Sequence, residues 1–189
     1  FGYKVSKNHT KTCWVLKCDI KKFFENINHT ILLRILKEYI SDKEIIWLLE
    51  KVIKSFSSKP DTGLPLGNLT SQLLVNIYIK HKLKIKHYIR YADDFVVMSE
   101  DKNWLESKIG SIKNFLFNRL KLELHPDKIF IKTLASGVDF LGWVHFPDHR
   151  VLRTTTKRRM FKRLKKSKTP ETLNSYIGLI KHGNTKKLR

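Results

Sequence analysis

Glycine and proline together number only 13 of 189 residues, which excludes collagen-like and linker-like chains. No stretch approaches the roughly 18 consecutive apolar residues of a membrane-spanning helix, so an integral membrane protein is not expected. Cysteine is nearly missing as well. Cys13 and Cys18 are too few for a disulfide framework or a zinc site, and with no secretory signal they point to a reducing cytoplasm. A first residue of Phe1 rather than Met suggests a fragment of a longer chain. What remains is a soluble chain with 41% apolar residues, enough for one ordinary domain or a domain with an appendage.

Acidic residues are the other scarcity: 17 against 38 lysines and arginines, a formal net charge of +21. Such an excess implies a polyanionic partner. It is uneven along the chain. Residues 150–189 hold 14 basic side chains and a single acid, Glu171, so the last 40 residues read as a separate basic module for nucleic-acid contact.

Hydrophobic periodicity supplies the elements. Trp14 to Asp19 is a short apolar run ending in an acid, the pattern of a buried strand whose last residue emerges at a sheet edge. Ile31, Leu32, Ile35, Leu36 and Tyr39 recur at helical spacing, and Ser41 with Glu44 forms a capping box ahead of Ile45 to Ile53. A loop from Ser57 to Asn68 precedes a third apolar stripe at Leu73, Leu74, Ile77 and Tyr78. A tight hairpin then pairs His87–Tyr91 with Phe95–Ser99, followed by a long helix through Leu105, Ile109, Ile112, Leu116 and Leu120 and a run with Leu122, Leu124, Ile129 and Ile131. The order β, α, β, β, α, β is that of a split βαβ (ferredoxin-like) sheet in an α+β fold.

In that arrangement the first strand lies beside the hairpin, and Asp19 approaches Asp93 and Asp94. Like charges gathered in a basic chain raise one another's pKa or recruit a cation, and hard oxygen ligands favour Mg²⁺. An Asp-Asp pair alone is ordinary turn chemistry, so the placement of Asp19 decides the reading.

Three motifs carry a family resemblance. Asp19-Ile20-Lys21-Lys22-Phe23-Phe24, then Gly63-Leu64-Pro65-Leu66-Gly67-Asn68-Leu69-Thr70-Ser71-Gln72, then Tyr91-Ala92-Asp93-Asp94 resemble, in order and spacing, the palm motifs of reverse transcriptases. His125-Pro126-Asp127-Lys128 and Gly137-Val138-Asp139-Phe140-Leu141-Gly142-Trp143 are similar to that family's fourth and primer-grip motifs, so the resemblance covers most of the chain. Group II intron and retron enzymes mostly carry Gln before the motif glycine and Pro after its serine. Leu66 and Gln72 stand there instead, a departure that resembles the error-prone enzymes of diversity-generating retroelements.

The resemblance implies RNA-directed DNA polymerisation with two Mg²⁺ ions about 3.5–4 Å apart, Asp19 and Asp93 as ligands and Asp94 completing the cluster. It places an aromatic ring under the sugar of the incoming nucleotide. Of the adjacent pair Phe23 and Phe24, one must face the core, and Phe24 stands at the family's position. Leu66, Gly67 and Gln72 would shape the nucleotide seat, Leu66 at the expense of about 1 kcal/mol of polar control. Lys128 would give a proton to pyrophosphate. Phe140, Leu141 and Gly142 would support the primer, and Lys157, Arg158, Lys162 and Lys165 on a helical thumb would hold the heteroduplex backbone.

The expected domains are a fingers remnant (1–12), a palm with its hairpin (13–149) and a thumb (150–189). The expected partners are template RNA, a cDNA primer strand, deoxynucleoside triphosphates and a small basic accessory protein, with no membrane. Two other readings stay open: a retron, group II intron-like or phage-defence reverse transcriptase, and a non-enzymatic RNA-binding module of the RRM kind, which lacks support from RNP-like aromatics on the strands.

Overall fold

The computed structural model describes residues 2–65, 67–80, 85–166 and 169–184, so Leu66 lies outside the described residues. The chain divides into two compact units. One comprises Phe1–Val15, Met98–Asp101 and Lys132–Arg189, the other Leu16–Val97 and Lys102–Ile131. Compact packing thus divides the chain at different points from the functional partition expected above.

The elements run α1 (Gly2–Val5), β1 (Trp14–Asp19), α2 (His29–Lys37), α3 (Lys43–Lys54), α4 (Leu69–Lys80), β2 (Tyr88–Tyr91), β3 (Asp94–Ser99), α5 (Lys102–Phe115), β4 (Phe130–Thr133), β5 (Val138–Phe140), β6 (Trp143–His145), β7 (Arg150–Leu152), α6 (Thr154–Lys166) and α7 (Pro170–Ile180). Four strands form a sheet in the order β2-β3-β1-β4, and β5-β6-β7 form a second, antiparallel sheet.

β1 is where its apolar run predicts it. Val15, Leu16 and Cys18 are buried, while Lys17 and Asp19, two residues apart and so on one face of the strand, are partly accessible. α2 starts at Asn28, whose side chain accepts the Ile31 amide. α3 departs from the expected Ser41 cap: Asp42 accepts the Glu44 and Ile45 amides instead. An ionised carboxylate also meets the positive end of the helix dipole, which favours Asp42 over the hydroxyl beside it.

α4 buries Leu74 and Tyr78 of the expected stripe and half-buries Ile77, but its inward face is rotated slightly away from Leu73. Ser71, Leu74, Val75 and Tyr78 are buried, whereas Leu69 and Leu73 face solvent. Tyr78 fixes this rotation, because its buried hydroxyl donates to the Leu120 carbonyl at 2.6 Å. α5 does not continue regularly to Leu120. Its last turn, Leu116–Leu120, widens to a π-helix that stops at Lys121, whose φ is +56°. Leu124 then makes an isolated antiparallel bridge to Ile20, and β4 begins only at Phe130.

The loop ahead of α4 is anchored. Gly63 N–H donates to Ile27 O and Leu64 N–H to Phe24 O, while buried His29 bonds Gly63 O through Nε2 at 2.7 Å. In the other unit, Trp143, Leu152, Met160 and Ile180 form a core with Leu164, Tyr176 and Leu179 packed against it.

Candidate active site

The acids sit where two strand ends meet. β2 and β3 pair antiparallel with Tyr91 opposite Asp94, leaving Ala92 and Asp93 as a two-residue turn. Ala92 has φ +50°, a left-handed conformation that costs a non-glycine residue about 1–2 kcal/mol. The residue after β1 completes the junction: Ile20 N–H donates to Asp93 O at 2.9 Å, and His125 N–H donates to Asp19 O at 2.8 Å.

Two lysines engage the carboxylates. Lys17 Nζ lies 3.1 Å from Asp94 Oδ2, with side chains only 14% and 22% exposed. Lys128 Nζ lies 3.0 Å from Asp19 Oδ2, but Lys128 is 53% exposed against 15% for Asp19. The other Asp94 oxygen, Oδ1, is buried without a hydrogen-bond partner. Burial pushes the Asp94 carboxyl above its ordinary value; Lys17 opposes the shift, and Asp19 and Asp93 add to it. Among the described residues, no group of three or more His, Cys, Asp or Glu side chains is gathered as a ready metal cage. The donor chemistry still fits a hard cation: carboxylate oxygens from adjoining strand ends, one of them buried and unpartnered.

Beside the acids lies a cavity of about 260 Å³ lined by Phe24, Gly67, Gln72, Val75, Asn76, Arg90, Tyr91 and Ala92. Phe23 is in the core, 3% exposed, with its ring edge-on to Phe24, which lines the cavity. Gly67 has φ +90° and nothing within 4 Å of where a Cβ would stand, so its backbone is open to close approach.

In the other unit, Phe140 pairs with Trp143 across a two-residue turn made by Leu141 (φ +54°) and Gly142 (φ +79°). Positive φ at both positions is the type I′ hairpin turn, where asparagine or glycine is the usual first residue. Phe140 is buried, and Leu141 at the tip is half exposed. Gly142 O accepts from Arg153 N–H, and the Arg153 guanidinium pairs with Asp139 at 2.8 Å. Lys157, Arg158, Lys162 and Lys165 are all exposed on α6, which buries only Met160.

Sequence reasoning missed Lys17, Asn76 and Arg90. The signal for Lys17 was a lone cation inside an otherwise apolar strand, on the same face as Asp19. Asn76 and Arg90 carried no signal, because their meeting depends on how α4 packs.

Residues 3–145 match the family model described as Reverse transcriptase (RNA-dependent DNA polymerase). The chain is similar to the group II intron-encoded protein LtrA of Lactococcus lactis subsp. cremoris, with 25% identity over 88% of this chain and 39% of that protein. It is similar also to the putative COX1/OXI3 intron 2 protein of Saccharomyces cerevisiae, with 24% identity over 85% of this chain and 26% of that one. The chain therefore spans well under half the length of these two relatives. Among solved structures it resembles telomerase from Candida albicans in complex with a TWJ fragment of telomeric RNA, with a TM-score of 0.60 and 13% identity over 81% of this chain and 32% of the other. Apo telomerase from Candida tropicalis likewise gives a TM-score of 0.60, with 12% identity over 87% of this chain and 38% of the other. At these identities the structural likeness shows the fold alone.

Proposed function

The chain belongs to the reverse transcriptase (RNA-dependent DNA polymerase) family, and on that premise we propose that it copies RNA into DNA by nucleotidyl transfer at the Asp19–Asp93–Asp94 cluster. The observation that carries this reading is the Ile20 N–H to Asp93 O hydrogen bond, which joins the two distant segments bearing the three acids. The strand order β2-β3-β1-β4 supports a palm with the split βαβ topology. On this reading residues 1–12 belong to fingers, 13–149 to the palm and primer-grip hairpin, and 150–189 to the thumb.

Asp19 and Asp93 would hold two Mg²⁺ ions, with Asp94 completing the cluster. Bound there, the ions supply activation of the primer 3′-hydroxyl and neutralisation of pyrophosphate charge. The chain's own residues do the rest. Phe24 and Gly67 seat the incoming nucleotide and exclude a 2′-hydroxyl. Lys128 holds a proton on Nζ for the departing pyrophosphate. Leu141 at its hairpin tip supports the primer end, and the exposed cations of α6 hold the duplex backbone without reading bases.

The finer reading is an error-prone enzyme of the diversity-generating type, supported by Leu66 and Gln72 in the second motif. It would work in the cytoplasm with a template RNA, a cDNA primer and a small basic accessory protein. A group II intron-like enzyme is the second reading, favoured by the likeness to LtrA and the yeast intron protein. Among the described residues no helix is long and apolar enough to cross a membrane.

The test is Mg²⁺-dependent extension of a DNA primer on an RNA template. Asp93→Asn abolishes extension and leaves RNA affinity within about twofold of the parent; RNA binding by the parent with no extension would favour an RRM-like module instead. Leu66→Gln then separates the two polymerase readings. A fall in misincorporation opposite template adenine supports the diversity-generating type, and unchanged error supports the intron-like one.

A further inference from the structure

Arg90 stands on the last turnward stretch of β2, opposite Phe95, and its guanidinium lies in the wall of the cavity beside the acids. Nη1 donates to Ala92 O at 2.8 Å, and Nη2 donates to Asn76 Oδ1 on α4 at 2.9 Å. Both acceptors are neutral. Among the described residues no ion pair engages the half-buried Arg90, and burial lowers its pKa against the opposing Tyr88 hydroxyl. The turn it bonds needs such a support: Ala92, a non-glycine residue at φ +50°, persists only where its surroundings hold it.

We propose that Arg90 and Asn76 form a strut that fixes the turn carrying Asp93 against α4 and so sets the seat of the incoming nucleotide. The role deepens the polymerase reading and rests on it. Gln72 and Asn76 are four residues apart on one face of α4, so a bond that fixes Asn76 also fixes Gln72, the helix's other contribution to the cavity wall. A planar guanidinium holds its two acceptors at a set separation and angle. A lysine ammonium in its place would reach one acceptor at a time, so Arg90→Lys retains the charge and loses the strut. Neither residue touches the reacting atoms; both are positioning residues.

The experiment uses single-nucleotide extension kinetics and amide hydrogen exchange on the same proteins. Asn76 is exposed, so its variants leave the core intact. Asn76→Ala raises the KM for deoxynucleotide about tenfold with kcat within twofold. Arg90→Lys raises KM similarly and also lowers kcat, because the Ala92 turn is released. The double variant is no worse in KM than Arg90→Lys alone, since both substitutions remove one strut, and Asn76→Asp, which keeps an acceptor for Arg90, restores KM. In the substrate-free proteins, exchange at the Ile20 amide, which donates to Asp93 O, quickens about tenfold in Arg90→Lys and Asn76→Ala and stays at the parent rate in Asn76→Asp. Additive KM effects, or unchanged exchange at the Ile20 amide, overturn the strut. A parent chain that extends no primer overturns the polymerase reading, and the exchange rates alone then decide whether the strut exists.

Discussion

Replacing Lys17 by Met removes the cation from a carboxylate that has few other resources. Asp94 is 22% exposed, its Oδ1 has no hydrogen-bond partner, and Asp19 and Asp93 both disfavour its charge. The largest penalty is the cost of keeping a proton on Asp94 instead. The ordinary carboxyl value of 3.8 lies about 3 units below pH 7, and each unit is worth about 1.4 kcal/mol, so the ceiling is about 4 kcal/mol. Residual solvent contact lowers it, and a loss of about 2–4 kcal/mol agrees with the usual effect of stripping one partner from a buried pair. The sign with pH follows from proton linkage. Without Lys17 the folded-state pKa of Asp94 rises further above the unfolded value, the folded chain binds more protons, and stability falls as pH climbs from about 4 toward that raised pKa. At pH 5 the ceiling drops below about 2 kcal/mol. Urea unfolding in metal-free buffer therefore finds Lys17→Met markedly weaker than the parent at pH 7, with the gap at least halved at pH 5. The double variant Lys17→Met/Asp94→Asn recovers most of the loss. A deficit that is equal at both pH values and unrelieved by Asp94→Asn would refute the reasoning.

Phe24→Ala opens the sugar side of the cavity and raises the relative kcat/KM for ribonucleotides by at least about tenfold; unaltered sugar selection moves the gate elsewhere. Tyr78→Phe removes the hydroxyl bond to Leu120 O and costs about 1 kcal/mol, a fall of roughly 2–4 °C in Tm. Burial holds His145 below its ordinary value of 6.5, against a hydrogen bond to Phe140 O that raises it. The folded chain then binds fewer protons at this site than the unfolded one, so stability present above pH 6.5 is lost on acidification toward the depressed pKa, and His145→Gln flattens that part of the unfolding curve. Duplex affinity falls with salt on a log-log plot with a slope of about 0.9 per phosphate neutralised; a nearly flat plot contradicts backbone gripping by α6.

The parts of the fold legible in the sequence are those whose pattern is local. β1 announces itself through consecutive apolar residues ending at an acid. In α4 the stripe is legible at Leu74, Ile77 and Tyr78 but not at Leu73, because apolar side chains occur around much of the helix and periodicity alone does not select the face finely. The choice is made by Tyr78, whose hydroxyl needs an acceptor and finds Leu120 42 residues away in sequence. The same distance effect hid Arg90 and Asn76. In the acidic cluster the approach of Asp19 to Asp93 and Asp94 was readable from strand order and Lys128 from its motif, but Lys17 was not, since basic side chains occur throughout the sequence and its pairing with Asp94 depends on which strands adjoin.

Those two lysines differ in how firmly each holds its carboxylate. Three carboxylates on adjoining strand ends repel one another, and each of two of them has a cation within about 3 Å. The Lys17 pair is largely desolvated, so breaking it strands a charge. The Lys128 pair is screened on the lysine side, and a pair of that kind is worth no more than about 1 kcal/mol. A cation arriving at Asp19 therefore competes with a weak and readily surrendered partner, whereas one arriving at Asp94 must displace a strong one. The asymmetry makes Asp19 the carboxylate whose partner is readily exchanged and Asp94 the one held firmly by its partner.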